Sequence, residues 1–447
     1  MSSTFVGAVA DDDTGAADLA GMLAERGMRA AVILDNAPPQ QLRTWAAECD
    51  AVVIGTATRS MARNEAYTRT RTAIQTLRSL SPQRLAVKYC STFDSTPEGN
   101  IGVSIDAALD ATGERFTVAL PALPALRRTT YMGYHFVGDQ LLSDSSMRHH
   151  PLNPMSNSNL VAHLSTQTSR RVGLVSYPEI KAGPDAIRSA CQRLQSAGCA
   201  IALLDCVDDQ QLHSIGEAIC NLPLISGSSA WGMVLPDIWR QNGSWTPSTR
   251  GELVAPPGGR GVLLISGSCS QATQSQIAWA AQNGWPIFSL DAIALARSSF
   301  PAETVRRAAE ILMRGEPCLI TTTRESGADE VQDWAMQHRF SAVEAGERIS
   351  ETLARLAADI MHRCTPAGLI IAGGETASAV MRTLKLGGLL IGPAIDPGVP
   401  LCLSLAEPAL ALALKSGNFG AEDFFGRAVQ AIHGIRRDSA TLQKELA

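Results

Sequence analysis

Residues 5–27 read FVGAVADDDTGAADLAGMLAERG, and this stretch decides the fold class. Phe5–Ala10 is a short apolar run, and a helix-period segment, Gly15–Gly27, follows it after four polar residues. An apolar strand that passes this abruptly into a helix opens a βαβ unit, whose parallel strands are buried on both faces. Outward from it the alternation continues. Strands are expected at Ala30–Leu34, Ala51–Gly55, Leu85–Tyr89, Phe116–Leu120, Arg171–Ser176, Ala200–Asp205 and Leu222–Ser226. Helices are expected at Ala62–Leu80, Ile101–Ala111, Pro184–Ala197 and Asp208–Asn221, with Gly27 and Gly198 placed as C-terminal caps.

Residues 240–261, RQNGSWTPSTRGELVAPPGGRG, hold five glycines and three prolines without periodicity, and mark a domain boundary. The reading is a first domain over 1–240, a linker over 241–260 and a second domain over 261–447. In the second, strands are expected at Gly261–Ser266, Pro286–Leu290, Pro317–Thr322, Gly368–Ala372 and Leu401–Leu405, with helices at Gln271–Asn283, Ala302–Arg314, Ile349–Arg363 and Thr376–Leu384. The segment Tyr131–Asn159 fits neither pattern, and a loop of that length is expected to serve as a lid or binding surface. The fold class is α/β: two domains, each a mostly parallel sheet flanked by helices, with an interdomain active-site cleft.

Composition narrows the function. The 447 residues are 45% hydrophobic and 18% charged, and the net charge is −5 with no basic run longer than a pair. Nucleic acid and membrane surfaces are therefore poor partners. No basic n-region precedes the first strand, and no run of about 18 apolar residues occurs. The ten cysteines contain no C-x-x-C pair and read as reduced thiols, so a cytoplasmic enzyme is expected.

Candidate chemistry lies at strand ends, where open α/β sheets bind ligands. Asp11, Asp12 and Asp13 follow the first strand; three adjacent carboxylates need a cation, donors or a polyol to compensate them. Thr56–Ser60 follows the third strand and Lys88–Asn100 the fourth. Arg59 and Lys88 suit a substrate carboxylate; Asp94, Ser95 and Asn100 suit sugar hydroxyls. Together they indicate a small, anionic, hydroxylated substrate. In the second domain, Gly373-Gly374-Glu375-Thr376 opens a helix after a strand, a geometry that suits phosphate. Leu224–Ser229 and Leu264–Cys269 are two Ser-Gly-Ser turns of the same kind, and Lys415–Gly420 is a further glycine-bearing loop. No Walker A, Rossmann G-x-G-x-x-G or H-E-x-x-H motif occurs. His149-His150 reads as structural or solvated, and Cys269 as packing or turn chemistry.

Six ordered motifs carry a resemblance: ADDDTGAAD at 10–18, KYCSTFDSTPEGNIG at 88–102, HHPLNPM at 149–155, ISGSCSQAT at 265–273, GGETASAV at 373–380 and LKSGNFGAEDFF at 414–425. The chain resembles the four-carbon acid sugar kinase family, and among its branches the 3-oxo-tetronate kinases. The branch rests chiefly on KYCSTFDSTPEGN, where Pro97-Glu98 replaces the Leu-Arg pair of the threonate and erythronate kinases, and one departure is visible: Asp13 stands where the family is usually apolar. The resemblance implies an N-terminal domain for the sugar acid, a C-terminal domain for ATP with Mg²⁺, transfer to the C4 hydroxyl, and a homodimer. It implies substrate contacts at Asp11, Asp12, Arg59, Lys88, Asp94, Ser95 and Asn100; among the aspartates the expected base is Asp12, with Asp94 next. It implies ATP contacts at Ser268, Gly373, Gly374, Glu375, Thr376 and Gly417. The alternatives are a D-threonate or D-erythronate kinase and, more remotely, a haloacid-dehalogenase-type phosphatase using Asp11 as nucleophile.

Overall fold

The computed structural model describes residues 4–34, 39–149, 153–247, 253–256, 259–322 and 328–435. The chain divides into two compact units, Met1–Thr249 and Arg250–Ala447. The first unit holds β1 (Val6–Ala10), β2 (Ala30–Leu34), β3 (Ala51–Gly55), β4 (Arg84–Lys88), β5 (Thr117–Leu120), β6 (Arg128–Tyr131), β7 (Tyr134–Val137), β8 (Gln140–Leu141), β9 (Val172–Val175), β10 (Ile201–Leu204) and β11 (Leu224–Gly227). Eight of these form a parallel sheet in the order β2-β3-β1-β4-β11-β5-β10-β9. Every residue of β1, β2 and β3 is buried, because helices cover both faces and no face is left for water. Connections from β1 run to one side of the sheet and those from β4 to the other, so the order reverses between β1 and β4, the usual ligand position.

The segment Tyr131–Asn159 is not a structureless lid. Its first part belongs to an antiparallel three-stranded sheet, β6-β7-β8, followed by short 3₁₀ turns. Two- to four-residue strands offer too little periodicity to stand out from a polar loop. His150 lies outside the described residues; His149 closes a 3₁₀ turn, Ser146–His149.

The second unit holds β12 (Val262–Ser266), β13 (Ile287–Leu290), β14 (Cys318–Thr322), β15 (Gly368–Ala372), β16 (Gly388–Asp396), β17 (Val399–Ser404) and β18 (Ala411–Lys415). Their order is β13-β14-β12-β15-β18-β17-β16, parallel through β18 and antiparallel beyond it. Sequence periodicity passes over β16 and β18. The first contains Gly392 and Pro393 with register shifts between Ile391 and Asp396, and reads as a turn; the second is five residues long and ends in lysine. The core packs Leu264, Ile370, Leu401, Ala413, Phe424 and Ile432 together. Its order reverses between β12 and β15, as the first sheet's does between β1 and β4. Among the described residues, no helix is long and apolar enough to cross a membrane.

Candidate functional site

In the first unit β3, β1 and β4 are adjacent and parallel, so Arg59, Asp11–Asp13 and Lys88–Asp94 leave the sheet at one edge. Asp12 caps the helix Asp13–Glu25: its carboxylate accepts the Gly15 N–H at 2.8 Å and the Thr14 hydroxyl at 2.7 Å. Arg59 donates through Nε and Nη2 to both oxygens of Asp11, at 2.8 and 2.9 Å, and its Nη2 lies 2.9 Å from Asp12 Oδ1. Lys88, 4% exposed, sits 3.8 Å from Asp18. Burial pushes the Asp12 carboxyl up, but Arg59, Lys88, Thr14 and Gly15 outweigh it and hold it below the usual carboxylate range. Burial lowers the Arg59 guanidinium; Asp11 and Asp12 override this and hold it well above its ordinary value. The cations that three carboxylates require are thus Arg59 and Lys88. Asp13 turns away: a Cβ on Gly55 would stand 2.4 Å from Asp13 Oδ1, so it packs against the end of β3.

Asp94, Asn100 and Ser95 are buried in the same region. The Asn100 amide nitrogen donates to the Thr58 and Met61 carbonyls, both at 2.7 Å, and so fixes the loop bearing Arg59. Its Oδ1 has no hydrogen-bond partner among the described residues. Asp11, Arg59, Lys88, Tyr89, Asp94 and Asn100 line a cavity of about 10 Å³, room for about one water. Ser95 differs from the expectation of a hydroxyl facing substrate. Its Oγ donates to the Phe93 carbonyl at 2.9 Å and receives Gln167 Nε2 at 2.9 Å, with His163 Nε2 at 3.3 Å. It braces the loop from inside. Ala57 and Phe93, both non-glycine residues at positive φ (51° and 53°), lie in the loops that carry Arg59 and Asp94; each costs roughly 1–2 kcal/mol.

Sequence reasoning missed the supports of this loop. His135 on β7 is fully buried; its Nε2–H donates to the Ser91 carbonyl at 2.8 Å and its Nδ1 accepts from the Thr130 hydroxyl at 3.0 Å. Gln167, on the helix Leu160–Gln167, accepts from Gly102 N and donates to the Thr96 carbonyl, both at 2.9 Å. No motif marks either residue, because both act through backbone groups distant in sequence.

In the second unit β12, β15 and β18 are neighbours and parallel, so their ends bring together Ser268, Gly373–Thr376 and Gly417. Gly373 adopts φ 119°, where a Cβ would also press to 3.4 Å from Ser268 N. A Cβ on Gly417 would stand 2.5 Å from Ser268 Oγ. Gly374 and Glu375 open the helix Gly374–Thr383, with Glu375 exposed. Thr376 is 3% exposed and packs beneath Gly267, 3.4 Å from the Ser350 hydroxyl. Three unassigned residues join them. Ser270 caps the helix Gln271–Gln282; Thr273 Oγ1 lies 3.2 Å from Ser268 Oγ and 2.9 Å from the Gly417 carbonyl; Lys415 Nζ donates to Thr273 Oγ1 at 2.7 Å. All three stand inside the motifs quoted above. The second Ser-Gly-Ser turn is different: Ser228 is fully buried and its hydroxyl donates to the Ala122 carbonyl at 2.9 Å, so it is core. With both oxygens of Asp11 clamped by Arg59, that carboxylate is not presented as a phosphatase nucleophile.

The comparisons with known proteins follow the same division. Residues 6–235 match the sugar-binding N-terminal domain family and residues 263–425 the nucleotide-binding C-terminal domain family. The chain is 40% identical over 432 residues to a 3-oxo-tetronate kinase of Cupriavidus necator, covering 96% of this chain and 98% of that one. It is 39% identical over 426 residues to the 3-oxo-tetronate kinase of Salmonella typhimurium, covering 95% and 98%. A solved Salmonella typhimurium structure, provisionally labelled a tRNA synthase, superposes with TM-score 0.79 at 37% identity, covering 95% of this chain and 98% of that one. A Haemophilus influenzae structure does so with TM-score 0.77 at 35% identity, covering 95% and 100%.

Proposed function

We infer that this chain, which belongs to the four-carbon acid sugar kinase family, is an ATP-dependent kinase that phosphorylates the C4 hydroxyl of a 3-oxo-tetronate. The observation that carries the reading is a division of chemistry. A buried Lys88 and a half-buried Arg59 stand among carboxylates at the strand ends of the unit matched by the sugar-binding family, and glycine turns at those of the unit matched by the nucleotide-binding family. Near-full-length likeness to 3-oxo-tetronate kinases selects the acceptor.

In this reading Lys88 and the Arg59 nitrogen not bonded to Asp11 or Asp12 receive the C1 carboxylate. Asp12, held ionised, accepts a hydrogen bond from the C4 hydroxyl and takes its proton late, as the oxygen bonds to the γ-phosphorus of ATP and ADP departs. A carboxylate of low basicity suffices, because phosphoryl transfer relies on positioning and charge stabilisation. Asp94 and Asn100 Oδ1 address the remaining polar atoms of the acid. The backbone at Ser268, Gly373, Gly374 and Gly417 approaches the phosphates, and Thr376 supports that turn from beneath. Glu375, in the first turn of the helix that follows Gly373, is the carboxylate at this turn that would hold Mg²⁺ accompanying ATP. When bound it neutralises phosphate charge.

A coupled ADP-release assay across 3-oxo-tetronates, D-threonate and D-erythronate tests the reading. ADP release that depends on a 3-oxo-tetronate is the expected result. Dependence on D-threonate or D-erythronate moves the protein to the sister activity, and phosphate release from sugar phosphates without ATP overturns the kinase reading.

A further inference from the structure

Lys415 closes β18 and is 2% exposed, and its ammonium donates to Thr273 Oγ1 at 2.7 Å and to the Gly417 carbonyl at 3.0 Å. Among the described residues no carboxylate lies within ion-pair distance of it. The neighbours β15 and β17 and the helix Gln271–Gln282 contain no charged residue. The helix Gly374–Thr383 brings Glu375 and Arg382, and the helix Phe424–Gly434 brings Arg427 and His433; Arg427 is paired with Asp396 and Asp423. Lys88 in the first unit is equally buried but has Asp18 and Asp12 for company. Burying an ammonium without an anion is unfavourable, and the fold keeps this one.

Its two partners explain where the charge is delivered. Thr273 Oγ1 reaches Ser268 Oγ, and the Gly417 carbonyl also receives the Ser270 hydroxyl. The ammonium therefore stands two hydrogen bonds from Ser268, at the joined ends of β12, β15 and β18. We propose that Lys415 is a positioning residue for nucleotide phosphate, its buried charge acting through Thr273 and the Gly417 turn to hold an anion at Ser268. The proposal rests on the nucleotide-binding reading above and names the residue that supplies its missing cation.

The test is calorimetric titration with ATP, ADP and adenosine. Lys415→Met keeps the length and removes the charge, while the Gly417 carbonyl retains the Ser270 donor. The variant is expected to bind ATP and ADP about 10-fold or more weaker, with adenosine changed less than about 2-fold. Unchanged ATP affinity, or equal loss for adenosine, overturns the proposal. Should that variant fail to fold, the wild-type protein decides. Burial pushes the Lys415 ammonium down to about 8, so it loses its proton as pH rises through that value. ATP affinity should then fall between about pH 7.5 and 9.5 while adenosine affinity stays flat; a flat ATP profile overturns the assignment. If ATP binds in this Lys415-dependent way yet no four-carbon acid elicits ADP, the kinase reading falls and the role of Lys415 stands.

Discussion

Asp12 carries two duties, capping a helix and completing an ion cluster, and both act in its ionised form. Asp12→Asn should reduce kcat about 10²-fold or more with ATP affinity retained; near-normal turnover would remove it from the acceptor's hydroxyl. Gly15 is constrained by the same cluster, since a Cβ there would lie 2.3 Å from Asp12 Oδ1 and 2.4 Å from Lys88 Nζ. Gly15→Ala is expected to lower kcat/KM for the sugar acid about 10-fold or more by displacing both groups. Gly21, in the same helix, has nothing within 4 Å of its Cβ position; Gly21→Ala should raise stability by about 0.5–1 kcal/mol, read by denaturant unfolding. Equal effects of the two substitutions on kcat/KM would show that the cluster is not what restricts position 15. The charges at 11, 12, 59 and 88 were legible in the sequence. Their pairing was not, because Arg59 is drawn to Asp11 by the adjacency of β3 and β1.

At the scale of elements, the β6-β7-β8 sheet acts as a prop whose key contact is His135 beneath Ser91. Burial pushes the His135 imidazole down to about 4, whereas in the unfolded chain it titrates near 6.5. The unfolded state therefore binds the extra proton between those values, and stability falls as pH drops from about 6.5 to about 4. His135→Gln keeps a donor and an acceptor but does not titrate. The melting temperature of the wild-type protein should fall more steeply than that of the variant over this window, and parallel curves would exclude His135 as the titrating prop. The strong apolar strands and long helices were readable as elements because burial on both faces writes itself into composition. The props were hidden, because short polar strands are stabilised by partners far along the chain, not by local pattern.

Over the whole molecule, the ten cysteines give a map of access. Cys269 is the exposed one, beside Ser268; Cys206, Cys318 and Cys402 are buried, and burial pushes their thiols up to about 12. A thiol reagent should modify one cysteine rapidly in the native protein, and saturating ATP should slow it; an unaltered rate with ATP bound would place the nucleotide away from this turn. The net charge of −5 opposes two anionic ligands, so in the proposed function capture falls to local cations and glycine turns. The α/β class, the polar strand ends and the motifs shared with the sugar-acid kinases are all legible in the chain's order of residues. Tertiary structure alone decided which of those groups meet, that Ser95, Thr376 and Ser228 face inward, and that Lys415 lies buried with no carboxylate beside it among the described residues. The physical reason is that burial pattern is local, set by what each element must hide from water, whereas contact depends on strand order, which joins residues 48 (Arg59 and Asp11) to 142 (Lys415 and Thr273) positions apart.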